Sequence, residues 1–285
     1  MMRSTVLAAV LVASYLTIIF PFSSFMCHRP FVVKLGYIPD SEILRGFSAD
    51  QRYGVAAYLV SKVMFYFGSL VEKNAGKVEI SPDYPAMSKT IHTAVHLDPY
   101  NMDAYYFAQA ILVWDVGKVD IANELLDFGM KFRDWDFYLP FFAGFNNAYF
   151  LKNYEKAAAY YKLAAELSGS DLYSSLAGRY LYESGKTDLA IAYLTVMEKQ
   201  ARNDAIRRSF RVRLQALQEV RRIEKARDRS KVESGKPLLT VEELIKHNYL
   251  SPPPVDPYGG RFFIDRDGQV RSTSKFAFDT GRGNK

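Results

Sequence analysis

Few residues in the chain could carry out chemistry, and their spacing completes no known reactive site. Gly185-Lys186-Thr187 has the ending of a phosphate-binding loop, but Tyr180 stands where such a loop needs a glycine, and the segment is expected between two helices instead of after a strand. We therefore interpret it as a turn. His92 and His96 would share one helix face and could chelate a metal, but no third ligand is apparent.

The remaining reactive residue types are also isolated. Asp265-Arg266-Asp267-Gly268 begins like a calcium-binding loop, but the later bidentate glutamate is absent. Cys27 is the single cysteine, which excludes a disulfide framework and a thiolate metal cage. There is no nucleophile elbow, and paired carboxylates cannot be placed in one cleft. The sequence predicts a protein that is not an enzyme and has no catalytic residue, no metal and no cofactor.

The composition predicts a folded chain with one strongly basic segment. Of 285 residues, 49% are hydrophobic and 15% aromatic, which is enough to build a buried core. The net charge is +6, and residues 199–236 contain 13 basic and five acidic residues. The basic charge therefore belongs to this segment and not to the chain as a whole.

The N-terminal segment, residues 6–26, is apolar and uncharged. About 20 such residues can cross a hydrocarbon layer of ~30 Å as a helix. We predict residues 1–28 to be a transmembrane signal anchor in contact with the lipid bilayer; a cleaved secretory signal and a soluble buried helix are the alternatives. The predicted location is single-pass in a bacterial inner membrane with the body on the periplasmic side, although flanking basic residues leave the orientation open.

Residues 29–49 read as a connector, and the chain from residue 50 to about 229 has helical periodicity. Residues 117–122, 152–157 and 185–190 share one plan, which is a polar turn, an acid in the first helical turn, and an alanine two positions later. The three alanines lie 35 and then 33 residues apart. A repeat of this length indicates stacked helical hairpins.

Each of four such units places small residues where its two helices would approach closely, and larger side chains between them. The positions are Phe67-Gly68, Met87, Ile91 and Ala94; Ala108, Ala122, Leu126 and Gly129; Ala143-Gly144, Ala157, Tyr161 and Ala164; and Ala177-Gly178, Ala190, Leu194 and Met197. With the turn Leu97-Asp98-Pro99-Tyr100-Asn101, the pattern resembles the tetratricopeptide repeat family, whose unit is a 34-residue antiparallel helix pair. The first unit has an extra loop at residues 73–85, and the second and third have one added residue each.

The resemblance covers residues 50–203 and implies an all-α fold. The expected order is the N-terminal transmembrane helix, a right-handed superhelical array of about four helical hairpins, a long capping helix, and a small C-terminal module with a helix and a β-hairpin. In such arrays the hairpins bury their apolar faces against one another, and the first helices line a concave groove. An unrelated helical bundle is the alternative.

The family register implies that the groove presents aromatic and polar side chains to a partner. These residues are Tyr106, Tyr138, Phe145, Asn146, Tyr149, Arg179 and Tyr182. Other repeat proteins use lysines to clamp a terminal carboxylate, but Tyr106, Phe141 and Ser175 stand at the matching positions. Recognition of chaperone tails is therefore not expected.

Residues 204–233 read as one basic amphipathic helix with an apolar stripe at spacings of three and four residues. We predict that it caps the last repeat and that its arginines lie in water. The alternative is a basic contact face, formed by Arg207, Arg208 and Arg211, that binds anionic lipid or an acidic partner. Binding of nucleic acid is not expected.

Residues 234–285 change character and form the predicted C-terminal module. Thr240 and Glu243 form a capping box at the start of a short helix, prolines 252–254 follow, and Asp267-Gly268 between two apolar runs indicates a β-hairpin. Residues 241–272 resemble the C-terminal part of the major pseudopilins of type II secretion. Against membership, the apolar N-terminal segment lacks the glutamate that pseudopilins carry there.

Two functions are compatible with these patterns. The first is a membrane-anchored protein–protein interaction scaffold that binds a peptide or helix of an unidentified protein partner in the groove. The alternative is a structural or assembly subunit of a pilus- or secretion-type machine in the cell envelope, which docks through the C-terminal module.

Overall fold

The computed structural model describes residues 2–28, 35–74, 82–235 and 238–276. Its regular structure is almost entirely helical. The helices are α1 (Met2–His28), α2 (Ser41–Ser48), α3 (Arg52–Asn74), α4 (Tyr84–Leu97), α5 (Met102–Ala108), α6 (Val119–Met130), α7 (Tyr138–Tyr149), α8 (Tyr154–Ser168), α9 (Asp171–Glu183), α10 (Thr187–Gln200), α11 (Asp204–Ser234) and α12 (Val241–Lys246). A 3₁₀-helix covers Ala49–Gln51, and α5 continues directly as a π-helix, Gln109–Asp115.

Four consecutive helix pairs form the body of the protein, which is all-α apart from one small sheet. The pairs are α3 with α4, α5 and the π-helix with α6, α7 with α8, and α9 with α10, and neighbouring helices along the chain pack against each other. The structure thus has the helical-repeat architecture that the sequence period predicts. The right-handed superhelix remains a prediction.

Small residues bring the helices of a pair together at equivalent positions. A Cβ atom added to Gly144 would lie 3.2 Å from the ring of Tyr161, and one added to Gly178 would lie 2.7 Å from Cδ2 of Leu194. Each glycine lies on the first helix of its pair and faces the second helix. Side chains of ordinary size at these positions would push the two helices apart.

The turns inside the second, third and fourth hairpins share one backbone conformation. Gly117, Lys152 and Gly185 hold equivalent places and have φ values of 67°, 54° and 77°. Glycine adopts this left-handed region without steric cost. Gly185-Lys186-Thr187 therefore belongs to a repeat turn between α9 and α10, as its position in the repeat predicts.

Two of the sequence predictions for the N-terminus are wrong. A helix crosses the hydrocarbon layer only where about 20 consecutive residues are helical and apolar. Within the part of the chain that the structure describes, no helix is both long and apolar enough to cross a membrane. This finding corrects the N-terminal transmembrane helix in the fold prediction and the single-pass membrane location.

The long helix α11 and the C-terminal module share one core with the fourth hairpin. The predicted stripe of α11 is buried at Phe210, Leu214, Leu217, Val220 and Ile223. Apolar side chains of α12 and of the hairpin strands pack into the same cluster. Strands β1 (Phe262–Ile264) and β2 (Val270–Ser272) are antiparallel, and Asp267-Gly268 lies in the turn between them. The module is therefore built onto the repeat body.

Candidate functional site

An exposed row of aromatic rings lies across the first helices of the second and third hairpins. Along α7, the aromatic positions 138, 142, 145 and 149 follow spacings of four, three and four, which place them on one helix face. The neighbouring first helix adds one ring from α5 and one from the π-helix. We call this surface the aromatic stripe; it consists of Tyr106, Trp114, Tyr138, Phe142, Phe145 and Tyr149.

The rings of the aromatic stripe contact one another across the two helices. The ring of Tyr106 meets that of Phe142 edge-on, with 5.8 Å between ring centroids. Trp114 lies 6.2 Å from Phe145 and 6.2 Å from Tyr149, and the last two rings stack at 5.4 Å. Pairs at these distances attract each other beyond their burial of apolar area, so the rings support one another's positions.

Four of the six rings are exposed although they are large and apolar, and Phe142 and Phe145 are half-buried beside them. The exposed fraction is 62% for Tyr106, 59% for Trp114, 49% for Tyr138 and 55% for Tyr149. No hydroxyl of the three tyrosines is hydrogen-bonded within the described residues, so these groups are available to a ligand. The Lys152 ammonium lies 5.2 Å from the Tyr149 ring centroid and places a positive charge at one end of the stripe.

The π-helix explains how Trp114 joins the stripe. Its first residue follows Ala108 directly, and the backbone N–H of Val116 donates to the carbonyl of Ile111 (3.0 Å) across five residues. A turn closed over five residues contains more residues than an α-helical turn. Trp114 lies eight positions after Tyr106, and the wider turn between them brings both rings toward α7.

Asn146, one of the predicted groove residues, lies beneath the stripe and is fully buried. Its amide nitrogen donates to Oε1 of Gln109 and to Oδ1 of Asn123, both at 2.9 Å, and its oxygen accepts from Nε2 of Gln109 at 2.6 Å. We call these three side chains the amide network. It links α7 to α6 and to the first residue of the π-helix, so Asn146 has no surface to offer to a partner.

Tyr182, another predicted groove residue, is occupied by the C-terminal hairpin. Its hydroxyl donates a short hydrogen bond to the carbonyl of Val270, and the Phe276 ring packs edge-on against it. Burial raises the pKa of the Tyr182 hydroxyl above its usual range. The next residue, Glu183, forms an ion pair with Arg271 at 2.6 Å. The hairpin thus covers this part of α9.

Arg179 lies apart from the stripe, at a pocket between α9, α11 and the C-terminal hairpin. The pocket has a volume of about 610 Å³. Its walls combine apolar side chains with positively charged ones. We call it the cationic pocket; its apolar walls include Leu194, Leu217, Phe263 and Phe276, and its positive charges come from Arg179, Arg213, Arg271 and Lys275.

The structure brings together four of the seven predicted groove residues, namely Tyr106, Tyr138, Phe145 and Tyr149. It adds Trp114 and Phe142, which the prediction did not include. Phe142 could have been found, because it lies four residues after Tyr138 on a helix whose exposed face was already assigned. Trp114 had a weaker signal, since a regular α-helix would place it about 80° around the axis from Tyr106.

The predicted basic contact face is largely engaged within the chain. Arg207 pairs with Asp204 at 2.5 Å, and Arg211 pairs with Glu198 at 2.8 Å. Arg208 is exposed and has no ion pair in the described part of the chain. Exposed ion pairs of this kind contribute little to stability. Two of the three predicted arginines nevertheless have an acidic partner within the chain.

The residues first considered for metal chemistry have packing and turn roles. His96 stacks on Phe128 with 4.5 Å between ring centroids, and its Nδ1 bonds the carbonyl of His92. Asp265 accepts hydrogen bonds from the backbone N–H groups of Asp267 and Gln269, which shape the hairpin turn. Among the described residues, no group of three or more His, Cys, Asp or Glu side chains could hold a metal ion.

Comparison of the chain with protein-family models and with curated proteins found no match to either. The resemblances to tetratricopeptide repeats and to pseudopilins therefore rest on the residue patterns alone.

Proposed function

We propose that the protein is a protein–protein interaction scaffold that binds a peptide or helix of a partner protein along the aromatic stripe. The observation that carries this proposal is the exposure of Tyr106, Trp114, Tyr138 and Tyr149 on two neighbouring helices. Contiguous exposed apolar surface of this kind marks interaction sites in soluble proteins. Trp and Tyr are also the side chains that most often dominate binding energy at protein interfaces.

The stripe suits a partner segment with apolar side chains on one face and polar groups at its edge. The ring faces offer apolar area, while the hydroxyls of Tyr106, Tyr138 and Tyr149 can bond a partner's backbone or side chains. The amide network supports the stripe from below, because it ties α7 to the π-helix that carries Trp114. The rings are thus held before a partner arrives, which lowers the entropic cost of binding.

Site-specific photo-crosslinking in cells tests the proposal. A photoreactive amino acid replaces Trp114 or Tyr149, and the control replaces Phe47, which is 88% exposed on α2 and outside the stripe. We expect one protein partner to crosslink from both stripe positions and not from position 47. The crosslinked partner segment is then sequenced and synthesised for binding measurements.

The double variant Trp114→Ala/Tyr149→Ala should weaken binding of that segment by at least 100-fold, because each residue has the character of an interface hot spot worth about 2 kcal/mol or more. Phe47→Ala should leave binding unchanged. These side chains are exposed, so the double variant should stay folded, and the loss of its ring contacts should lower the midpoint of thermal unfolding only slightly. Equal crosslinking from position 47, or equal affinity of the double variant, would overturn the proposal.

The alternative function, an assembly subunit that docks through the C-terminal module, has no specific observation in its favour. The module is held to the body by Arg271 on Glu183, and by Arg227, whose guanidinium donates to the carbonyl of Gly268.

A further inference from the structure

We propose that the cationic pocket binds a carboxylate that carries an apolar acyl chain, that is, a ligand of the fatty-acid class. The pocket is separate from the aromatic stripe, and the proposal does not depend on the scaffold function. Its volume of about 610 Å³ lies within the roughly 300–1,000 Å³ typical of small-molecule sites.

The apolar part of the wall is suited to an acyl chain. Leu194 and Leu217 come from the helices behind the pocket, and Phe263 and Phe276 come from the C-terminal hairpin and the residues after it. Phe263 is 41% exposed in this position. A bound chain would cover part of this ring, and burial of apolar area is the main favourable term for such a ligand.

The charges around the pocket favour an anion. Four cationic side chains line it, and Glu183 is the single acid among its lining residues in the described part of the chain. Glu183 already pairs with Arg271 at 2.6 Å, and Asp265 pairs with the same arginine at 2.7 Å. The one lining acid is therefore already matched.

Two of the remaining cations can meet a ligand carboxylate. Arg179 and Lys275 take part in no ion pair within the described ranges; Arg179 lies over the ring of Tyr180, 5.8 Å from its centroid. Arg213 is half-buried, and burial lowers the pKa of its guanidinium while a hydrogen bond with Tyr258 favours the charged form. A ligand anion would offset the cost of holding this charge away from water.

Isothermal titration of the full-length protein with octanoate tests the proposal. Two further probes separate the chain from the charge: acetate has the carboxylate without the chain, and octanol has the chain without the carboxylate. We expect measurable binding of octanoate and at least tenfold weaker binding of each of the other two, because both halves of the ligand meet matching groups. Octanol binding as tight as octanoate, or acetate as tight as octanoate, would overturn it.

Variants assign the binding to this pocket. Arg179→Gln and Lys275→Gln should each weaken octanoate binding about tenfold, which is the effect of losing one hydrogen bond to a charged group. Arg208→Gln removes the same charge from a surface outside the pocket and should have no effect. Trp114→Ala should also have no effect, so the outcome for the stripe is independent of the outcome here.

Phe263→Ser tests the chain contact, since it removes apolar wall without removing charge. It should weaken octanoate binding and leave acetate binding as it was. Unchanged octanoate affinity in all three pocket variants would contradict the proposal. A change in sedimentation mass on Phe263→Ser without a change in octanoate affinity would also overturn it, because a second copy of the chain would then be the occupant.

Discussion

Replacement of Asn146 by alanine separates a binding role from a structural one. The family register assigns this residue to the partner groove, whereas the structure buries it completely and gives it three hydrogen bonds. A groove residue should change partner affinity with little effect on stability. A buried network residue should lower the free energy of unfolding.

The magnitude follows from the groups that the substitution leaves behind. Asn146→Ala removes the partners of both polar atoms of Gln109 and of Oδ1 of Asn123. Gln109 is 5% exposed, so water cannot easily replace the lost bonds. A buried polar group left unsatisfied costs about 1–3 kcal/mol. With two such atoms on Gln109 and a partly accessible one on Asn123, we expect a loss of about 3–5 kcal/mol.

Asn147→Ala is the matched control, because Asn147 is the next residue of α7 and is also buried. Within the described residues its side chain makes one hydrogen bond, from Nδ2 to the carbonyl of Ala143 at 2.8 Å. Loss of one ordinary hydrogen bond costs about 0.5–1.5 kcal/mol. The assay is urea unfolding followed by far-ultraviolet circular dichroism, with midpoints compared at a constant slope m.

The double variant Gln109→Leu/Asn146→Leu provides the second arm. It removes both members of the pair that is joined by two hydrogen bonds, so fewer buried polar atoms remain unsatisfied. Its loss of unfolding free energy should therefore be smaller, by more than about 1 kcal/mol, than the sum of the losses of Gln109→Leu and Asn146→Leu alone. If Asn146→Ala lost no more stability than Asn147→Ala, or if the two leucine substitutions were additive, the amide network would not hold α7 in place.

Two further predictions follow from the packing. Gly178→Ala should lower the free energy of unfolding by about 1–2 kcal/mol, since its Cβ would lie 2.7 Å from the buried Leu194. Gly144→Ala should be close to neutral, because its Cβ would lie 3.2 Å from the ring of Tyr161 and alanine favours the helix by about 1 kcal/mol. Urea unfolding of both variants checks this, and equal losses of stability would contradict it. Burial, followed by the charge of a neighbouring histidine, lowers the pKa of His92 from 6.5. As the pH falls below 6.5, His92 therefore binds a proton more readily in the unfolded chain than in the folded one. The free energy of unfolding should decrease over this range. His92→Gln should lose this part of the decrease between pH 7.5 and 5.5, and parallel curves for variant and parent would refute the assignment.

The hairpin units could be predicted because their signals are local and repeated. A small residue every 33 to 35 positions and a turn that tolerates left-handed φ values recur in three units, at Gly117, Lys152 and Gly185. Each such signal depends on a helix and its immediate neighbour in the chain. A repeat can be predicted from one sequence when several weak signals recur at the same positions of successive units.

The groove assignments were less accurate because they depended on a register that one residue can disturb. The added residue in the second unit coincides with the π-helix, which lengthens the first helix of that pair without breaking it. This rotates Trp114 toward α7. Nothing in the apolar period marks a π-turn, so the change of face was not visible in the sequence.

Tyr182 was misplaced for a different reason, which is contact at long range. Its hydroxyl meets the carbonyl of Val270, a residue 88 positions away in the chain. The sequence predicted both the hairpin and the repeat, but no pattern joined them. Where a module packs on an earlier unit depends on the complementarity of their surfaces, and the periodicity of a sequence carries no information about this.

The position of the C-terminal hairpin also bears on the size of the partner in the proposed function. It covers the end of α9, where Val270 accepts the hydrogen bond of Tyr182 and Arg271 pairs with Glu183. The exposed rings of the stripe therefore lie on the second and third hairpins. The stripe runs along α7 from Tyr138 to Tyr149, a rise of about 16 Å at 1.5 Å per residue. This length matches about three turns of a helix or five residues of an extended chain. The partner segment in the scaffold proposal is therefore short, and its affinity depends on a few ring contacts more than on total buried area.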